Sequence, residues 1–250
     1  IDAMRQSFGL TNDPILFQYA SYLKGILHGE LGTSIAYFPK PVSEIIGSGL
    51  SWTIFLAGSS MMIAFLIGTT LGIVIAWNRT GKLDTILPPT LAFFGAFPYF
   101  WLAMVFLYLF GFSLNWFPIG RAYGNEINPG YNLPFFISAL YHAFLPALTL
   151  IFVSLGGWML SMRNTMISTL GSDYITFAYA KGIPSKLIML RYAARNAILP
   201  NLTGFGMALG FMLSGALLTE MIFSYPGQGF LLLQAVQAQD YPLMQGIFMT

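Results

Sequence analysis

The chain contains no cysteine, so it has neither a disulfide framework nor a thiolate metal site. Charge is nearly as scarce. Only 8% of its 250 residues are Asp, Glu, Lys or Arg, against about 25% in soluble domains. A water-facing surface cannot be built from so few charges, and the composition points to lipid as the solvent. A net charge of +2 is too small for a nucleic-acid footprint. The two histidines, His28 and His142, stand alone, whereas a zinc site needs three or four ligands. No Gly-x-Ser-x-Gly elbow occurs among the many serines. The string "NRTGKLD" holds Gly81 and Lys82 but lacks the earlier glycine and the following Ser or Thr of a phosphate-cradling loop. ATP binding by this chain is therefore not expected.

What is present is apolar: 56% of the residues. Four stretches free of acidic and basic side chains reach the roughly 20 residues that cross a bilayer. They fall at about 51–78, 88–113, 143–163 (charge-free up to Met162) and 197–219, and a fifth starts near Pro242 and fills 242–250. None has a charged residue near its centre, which disfavours a proton relay or ion path. Arg79 and Lys82 follow the first stretch; Arg163, Lys181, Lys186, Arg191 and Arg195 follow the third; only Arg121 lies between the second and third. The positive-inside bias puts 78–84 and 163–196 in the cytoplasm, and 1–50 and 117–141 outside. The expected organisation is an extracytoplasmic segment 1–50, a membrane domain 51–250 and a cytoplasmic segment 164–196. The chain opens on Ile1 with no signal-peptide pattern and ends in "PLMQGIFMT". Further sequence is expected on each side, giving six spans with both termini cytoplasmic. Pro98 should kink the second span, and Gly156–Gly157, Gly206 and Gly210 should allow close helix packing.

The segment "DYITFAYAKGIPSKLIMLRYAARNAILP", residues 173–200, carries four of the eleven basic residues. Asp173 suits a helix N-terminus. Tyr174, Phe177, Ala178 and Lys181 recur at i, i+3, i+4 and i+7, a single helix face of the kind that lies in another protein's groove. Gly182 is placed to end that helix, and Pro184 to start another. In the second helix, Leu187, Leu190, Ala194 and Ile198 are expected to share a face. The pattern alone leaves two readings open: an interfacial helix on anionic headgroups, or a docking element for a cytoplasmic partner.

The same segment resembles the cytoplasmic signature of binding-protein-dependent ABC importer permeases: Glu-Ala-Ala, three residues, Gly, nine residues, Ile-x-Leu-Pro. Gly182 and Ala178 match it. Thr176 and Phe177 replace the Glu and the first Ala, and Leu199–Pro200 lie further from Gly182 than the general signature allows. Both departures are typical of the dipeptide/oligopeptide/nickel subfamily, which reads "DYVRTARAKGL…LLRHALRNALLP". Other stretches agree with it: "GELGTS" with "PV", "AFPYFWLA" with Ala96 for the usual Ser, "LPALTL", and "TEMIFSYPGQGF…AQDYP" with Gln239 for the usual basic residue. The resemblance runs over essentially the whole chain. It implies an all-α integral membrane fold, the type I ABC importer transmembrane domain, in a multi-pass subunit of the inner membrane. It implies a non-catalytic permease paired with a second homologous permease, two cytoplasmic ATPases that hold ATP and Mg, and an extracytoplasmic solute-binding protein. Asp173, Tyr174, Phe177, Ala178, Lys181, Gly182 and Pro184 would form the ATPase-coupling element. Glu220, Tyr225, Pro226, Gly227, Gly229 and Asp240 would form an external gate or binding-protein contact, although Glu220 reads equally well as a helix-end charge at the interface.

The cargo would be peptides or a similar small solute; the subfamily also carries nickel chelates, glutathione and oligosaccharides. The aromatics of "FFGAFPYFW" and "YNLPFFISALYH" would line that path or serve packing and interfacial belts. A different class, an integral membrane enzyme acting on lipids, needs an acid–base or metal constellation. Its candidates, Asp84, Asp173, Glu220 and Asp240, scatter over both sides of the expected topology. A stand-alone channel would conduct without nucleotide.

Overall fold

The computed structural model describes residues 14–250, apart from the side chains of 213–215. Among them there is no β-strand beyond one isolated bridge between Thr33 and Pro41. The helices are α1 (Ile15–Leu27), α2 (Val42–Trp77), α3 (Lys82–Gly95), α4 (Tyr99–Ser113), α5 (Leu133–Leu170), α6 (Asp173–Ala180), α7 (Arg195–Ile222), α8 (Gln228–Gln237) and α9 (Tyr241–Met249). A short turn, Ser185–Leu187, and a π-helical segment, Ile188–Ala194, lead into α7.

By length and composition α2 and α5 can each cross a membrane; α3–α4 and the 185–222 pair add two more if each bent pair is one span. With 36 and 38 residues, α2 and α5 are about 54 and 57 Å long at 1.5 Å per residue. Both exceed a hydrocarbon core of about 30 Å. α2 starts at Val42, behind Pro41, rather than at residue 51, because its first turns bury Val42, Ile45 and Ile46 against α8 and α9. α5 starts where the Asn132 side chain accepts a 2.9 Å hydrogen bond from the Phe135 N–H and runs on to Leu170, past the apolar stretch. At Pro98 the helix breaks rather than kinks. α3 and α4 meet at 96°, with Pro98 extended (φ −58°, ψ 133°) at the start of α4. Proline has no N–H and disfavours helical backbone in the residue before it.

Close packing concentrates on a ridge of small residues in α2: Ala64, Gly68, Gly72 and Ala76, all buried and four apart. A Cβ on Gly72 would lie 2.7 Å from the Met159 carbonyl oxygen, and one on Gly68 would lie 2.8 Å from the Trp158 Cβ. Gly156 likewise faces the Leu91 carbonyl at 2.8 Å. Removing the side chains lets the α2 and α5 backbones touch, the usual source of helix adhesion where lipid is as apolar as protein. Gly157, Gly206 and Gly210 differ from expectation: among the described residues nothing beyond the adjacent helix backbone lies within 4 Å of a Cβ there. We expect Gly72→Leu to exceed the roughly 1–3 kcal/mol cost of ordinary overpacking, because the clash is with backbone. Thermal unfolding of the purified protein in detergent should show a sharply lower midpoint.

Three hydrophobic clusters sit at opposite ends of the α2–α5 pair, one at one end and two at the other. At the end carrying the basic loops, Ala76, Met162, Met166, Ile175, Ala178, Ile188, Ala193, Ala194 and Ala197 pack together. The end assigned to the outside by charge holds the α2–α8–α9 cluster and a second one around Leu56, Leu145, Phe223 and Tyr225.

Candidate functional site

At the inner end, Gly171 and Ser172 join α5 to α6, and Asp173 is the first residue of α6. Ile175 and Ala178 turn inward, 1% and 2% exposed. Tyr174, Phe177 and Lys181 face out, with the Lys181 ammonium 4.6 Å from the centre of the Phe177 ring. Ala178 therefore does not share the open face with its sequence neighbours; it anchors the helix that presents them. Asn196 in α7 donates to the Tyr174 hydroxyl at 3.0 Å, tying the near end of that face to the next span.

The helix ends at Gly182. Its φ is +70°, its N–H bonds the Tyr179 carbonyl at 2.9 Å, and the Ile183 N–H bonds the Ala178 carbonyl at 3.2 Å. This pair of bonds is the Schellman closure that favours glycine. Pro184 is the N-cap of the next turn, which begins at Ser185. The face expected there is not buried as a unit. Leu187 and Leu190 are exposed, while Ile188, Ala193 and Ala194 are buried. The π-helical turn carries an extra residue and rotates the later side chains away from a strict i, i+3, i+4 register.

Of the residues expected at the outer end, Glu220, Tyr225, Pro226, Gly227 and Gly229 come together in a largely buried knot, while Asp240 stands in a separate cap. Glu220, on the last turn of α7, is fully buried, and one carboxylate oxygen accepts the Gly229 N–H at 2.7 Å. The Gln228 N–H donates to the Thr53 hydroxyl at 2.9 Å, and the Gln228 side-chain amide to the Ile46 carbonyl at 2.9 Å. α8 has glycine at its N-cap and no side-chain cap of its own. Its first amides are instead capped from α7 and α2, which satisfies donors a helix start otherwise leaves orphaned. No Cβ fits on Gly227, whose place is taken by the Glu220 carboxylate, nor on Gly229, which abuts the Leu217 backbone. Pro226 is half-buried, and Tyr225 is buried with its ring edge-to-face on Trp52 at 5.8 Å.

Asp240 is buried and caps α9 through the Leu243 N–H at 3.1 Å. It also accepts the Ser34 hydroxyl and the Ala36 N–H, the latter at 3.0 Å. Burial pushes its carboxyl up. The Ser34 hydroxyl and the amides of Ala36, Leu243 and Ile35 outweigh that and hold it below the usual carboxylate range. Ser34, Thr53 and Gln228 escape a sequence reading because each acts through a partner at least 175 positions away.

The four carboxylates considered for a lipid enzyme do not converge. Asp84 pairs with Arg163, Asp173 is exposed, and Glu220 and Asp240 occupy separate caps. Among the described residues no three His, Cys, Asp or Glu come together.

The described chain is a charge-poor helical bundle with a short helix at the end that carries the basic loops, and its four candidate carboxylates are paired, exposed or engaged in separate caps. Residues 68–250 match the family described as binding-protein-dependent transport system inner membrane component. The chain belongs to that family. It has the type I importer transmembrane fold and is a non-catalytic, multi-pass permease subunit of an ABC importer in the inner membrane.

Among its relatives, a probable D,D-dipeptide transport system permease protein of Escherichia coli is 37% identical over 98% of this chain and 76% of that protein. An oligopeptide transport system permease protein of Bacillus subtilis is 32% identical over 97% and 75%. A glutathione transport system permease protein of Pectobacterium atrosepticum is 34% identical over 98% and 74%.

Proposed function

We propose that this chain forms one half of an ATP-driven import path for short peptides or peptide-like solutes. A second homologous permease supplies the other half, two cytoplasmic ATPases hold ATP and Mg, and an extracytoplasmic binding protein delivers the cargo. In this reading residues 1–50, of which 1–13 fall outside the described residues, are extracytoplasmic, 51–250 form the permease domain, and 164–196 form the cytoplasmic coupling segment. The observation that carries the reading is α6. Its Ile175 and Ala178 are rooted in the core beside the basic loops while Tyr174, Phe177 and Lys181 are exposed. An aromatic and cationic face on a rigidly rooted helix suits insertion into a groove of another subunit. In this reading Asp173, Gly182 and Pro184 fix the ends of that element. The relatives named for D,D-dipeptides, oligopeptides and glutathione suggest the shared cargo chemistry, a short backbone with amide bonds and charged ends.

The test is reconstitution of the full-length chain with its partner permease, ATPases and binding protein in proteoliposomes. Labelled dipeptide or tripeptide should enter only when ATP is present on the ATPase side and the binding protein on the other. Flux without nucleotide, or without the ATPases, would refute the reading.

A further inference from the structure

We propose that the Asp84–Arg163 ion pair is the joint through which movement of α6 reaches α3 and α4; this rests on the coupling role proposed for α6. The Arg163 Nε lies 2.6 Å from an Asp84 carboxylate oxygen, and the two side chains are 22% and 14% exposed. Among the described residues it is the one ion pair that joins different helices. Its position gives it a mechanical role.

Arg163 sits on the turn of α5 whose Met162 and Met166 support Ile175 and Ala178 of α6. A push on α6 is therefore received by the residues flanking Arg163. On its other side that turn is in near-backbone contact with α2, where a Cβ on Gly72 would lie 3.0 Å from the Arg163 amide nitrogen. Asp84 stands in the first turn of α3, with Arg79 as a further nearby cation. The far end of α3 is held separately, by Leu91 against Gly156 and by the cluster of Ile75, Leu91 and Met159. Beyond it lies the 96° turn into α4. α3 is thus fastened to α5 at its start by the ion pair and along its later turns by apolar contacts, Leu91 on Gly156 and Phe94 on Phe152 among them. With both intact it follows α5 as a rigid body. With the ion pair gone only apolar packing links its first turns to α5, and displacement of α5 is lost by slippage there. A partly buried guanidinium–carboxylate pair suits such a joint because removing one partner strands the other.

The test uses the complete reconstituted transporter and reads uptake per ATP hydrolysed, together with the amount of assembled complex. Asp84→Asn and Arg163→Gln should each lower uptake per ATP about 5-fold or more, the lower end of ordinary coupling between sites, in complexes that assemble. The exchange Asp84→Arg with Arg163→Asp should restore most of the loss. Three results would overturn the proposal: single variants that couple normally, variants that only reduce the amount of complex while uptake per ATP is unchanged, or an exchange that restores nothing. If the neutral variants fail to assemble, Arg163→Lys decides. It keeps the charge but loses the planar fork, and normal coupling in it also overturns the proposal. A wild-type complex that shows no ATP-dependent uptake counts instead against the function proposed above.

Discussion

Gly182→Pro is expected to abolish binding-protein-stimulated uptake while the chain still inserts into the membrane. The wild-type residue sits at φ +70° and donates its N–H to the Tyr179 carbonyl. Proline fixes φ near −65° and has no N–H to donate. The Schellman closure is lost, and α6 can no longer reverse direction into Pro184 and the Ser185 turn. Alanine at the same site keeps the N–H and faces only the left-handed penalty of roughly 1–2 kcal/mol. Gly182→Ala should therefore retain part of the uptake, and the graded series separates backbone geometry from loss of a side chain. Among the described residues nothing lies within 4 Å of a Cβ at this position, so the substitution makes no clash with the spans described. Transport and stimulated ATP hydrolysis at wild-type levels in Gly182→Pro would remove α6 from the coupling path. Ala178→Arg is a poorer probe. Ala178 is 2% exposed within the inner core, and arginine there would breach the packing of Met162 and Met166 before it reached any partner.

The helix at 173–180 and its two ends were legible because their signals are local. Asp173 at a helix start, glycine at a left-handed end and proline at the next turn act through neighbours a few residues away. The direction of its faces was less so. Counting i, i+3, i+4 grouped Ala178 with Phe177 and Leu190 with Ala194, and the structure separates both pairs. In α6 the reason is that a helix of 8 residues buries only Ile175 and Ala178, a strip one side chain wide. Before α7 the reason is the π-helical turn, which no residue pattern announces. The small-residue ridge of α2 was legible in principle. Ala64, Gly68, Gly72 and Ala76 stand in a strict four-residue register, but they compete for notice with glycines such as Gly206 and Gly210, which meet no neighbouring helix among the described residues. The outer knot was visible only as a string of polar and glycine residues. That Glu220 caps α8, and that Ser34 meets Asp240, depends on contacts closed only by the finished fold.

That knot yields the second large expected effect. Glu220→Leu should unfasten the start of α8, whereas Glu220→Gln should leave it nearly intact. Leucine fills the space but offers no acceptor, so the buried Gly229 N–H is left bare at about 1–3 kcal/mol. Glutamine keeps a carbonyl oxygen where the carboxylate accepts that N–H. Gly227 sets the other constraint: with the carboxylate packed where its Cβ would be, a group much wider than an amide cannot enter. Amide hydrogen exchange reads the outcome directly. In Glu220→Leu the amides of α8 should exchange faster by about 5- to 150-fold, the same 1–3 kcal/mol expressed as a local opening equilibrium. In Glu220→Gln they should stay near wild type. The amides of α6, at the opposite end of the bundle, should be unchanged in both variants. If α8 keeps its protection in Glu220→Leu, the carboxylate is not what holds it, and the Thr53 hydroxyl on the Gln228 N–H is the remaining cap. The comparison also bears on an external gate at Glu220. A residue that served only to meet a binding protein would leave α8 protected when replaced. One that fastens α8 to α7 and α2 makes release of this N-terminus a step that any opening of the outer end has to include.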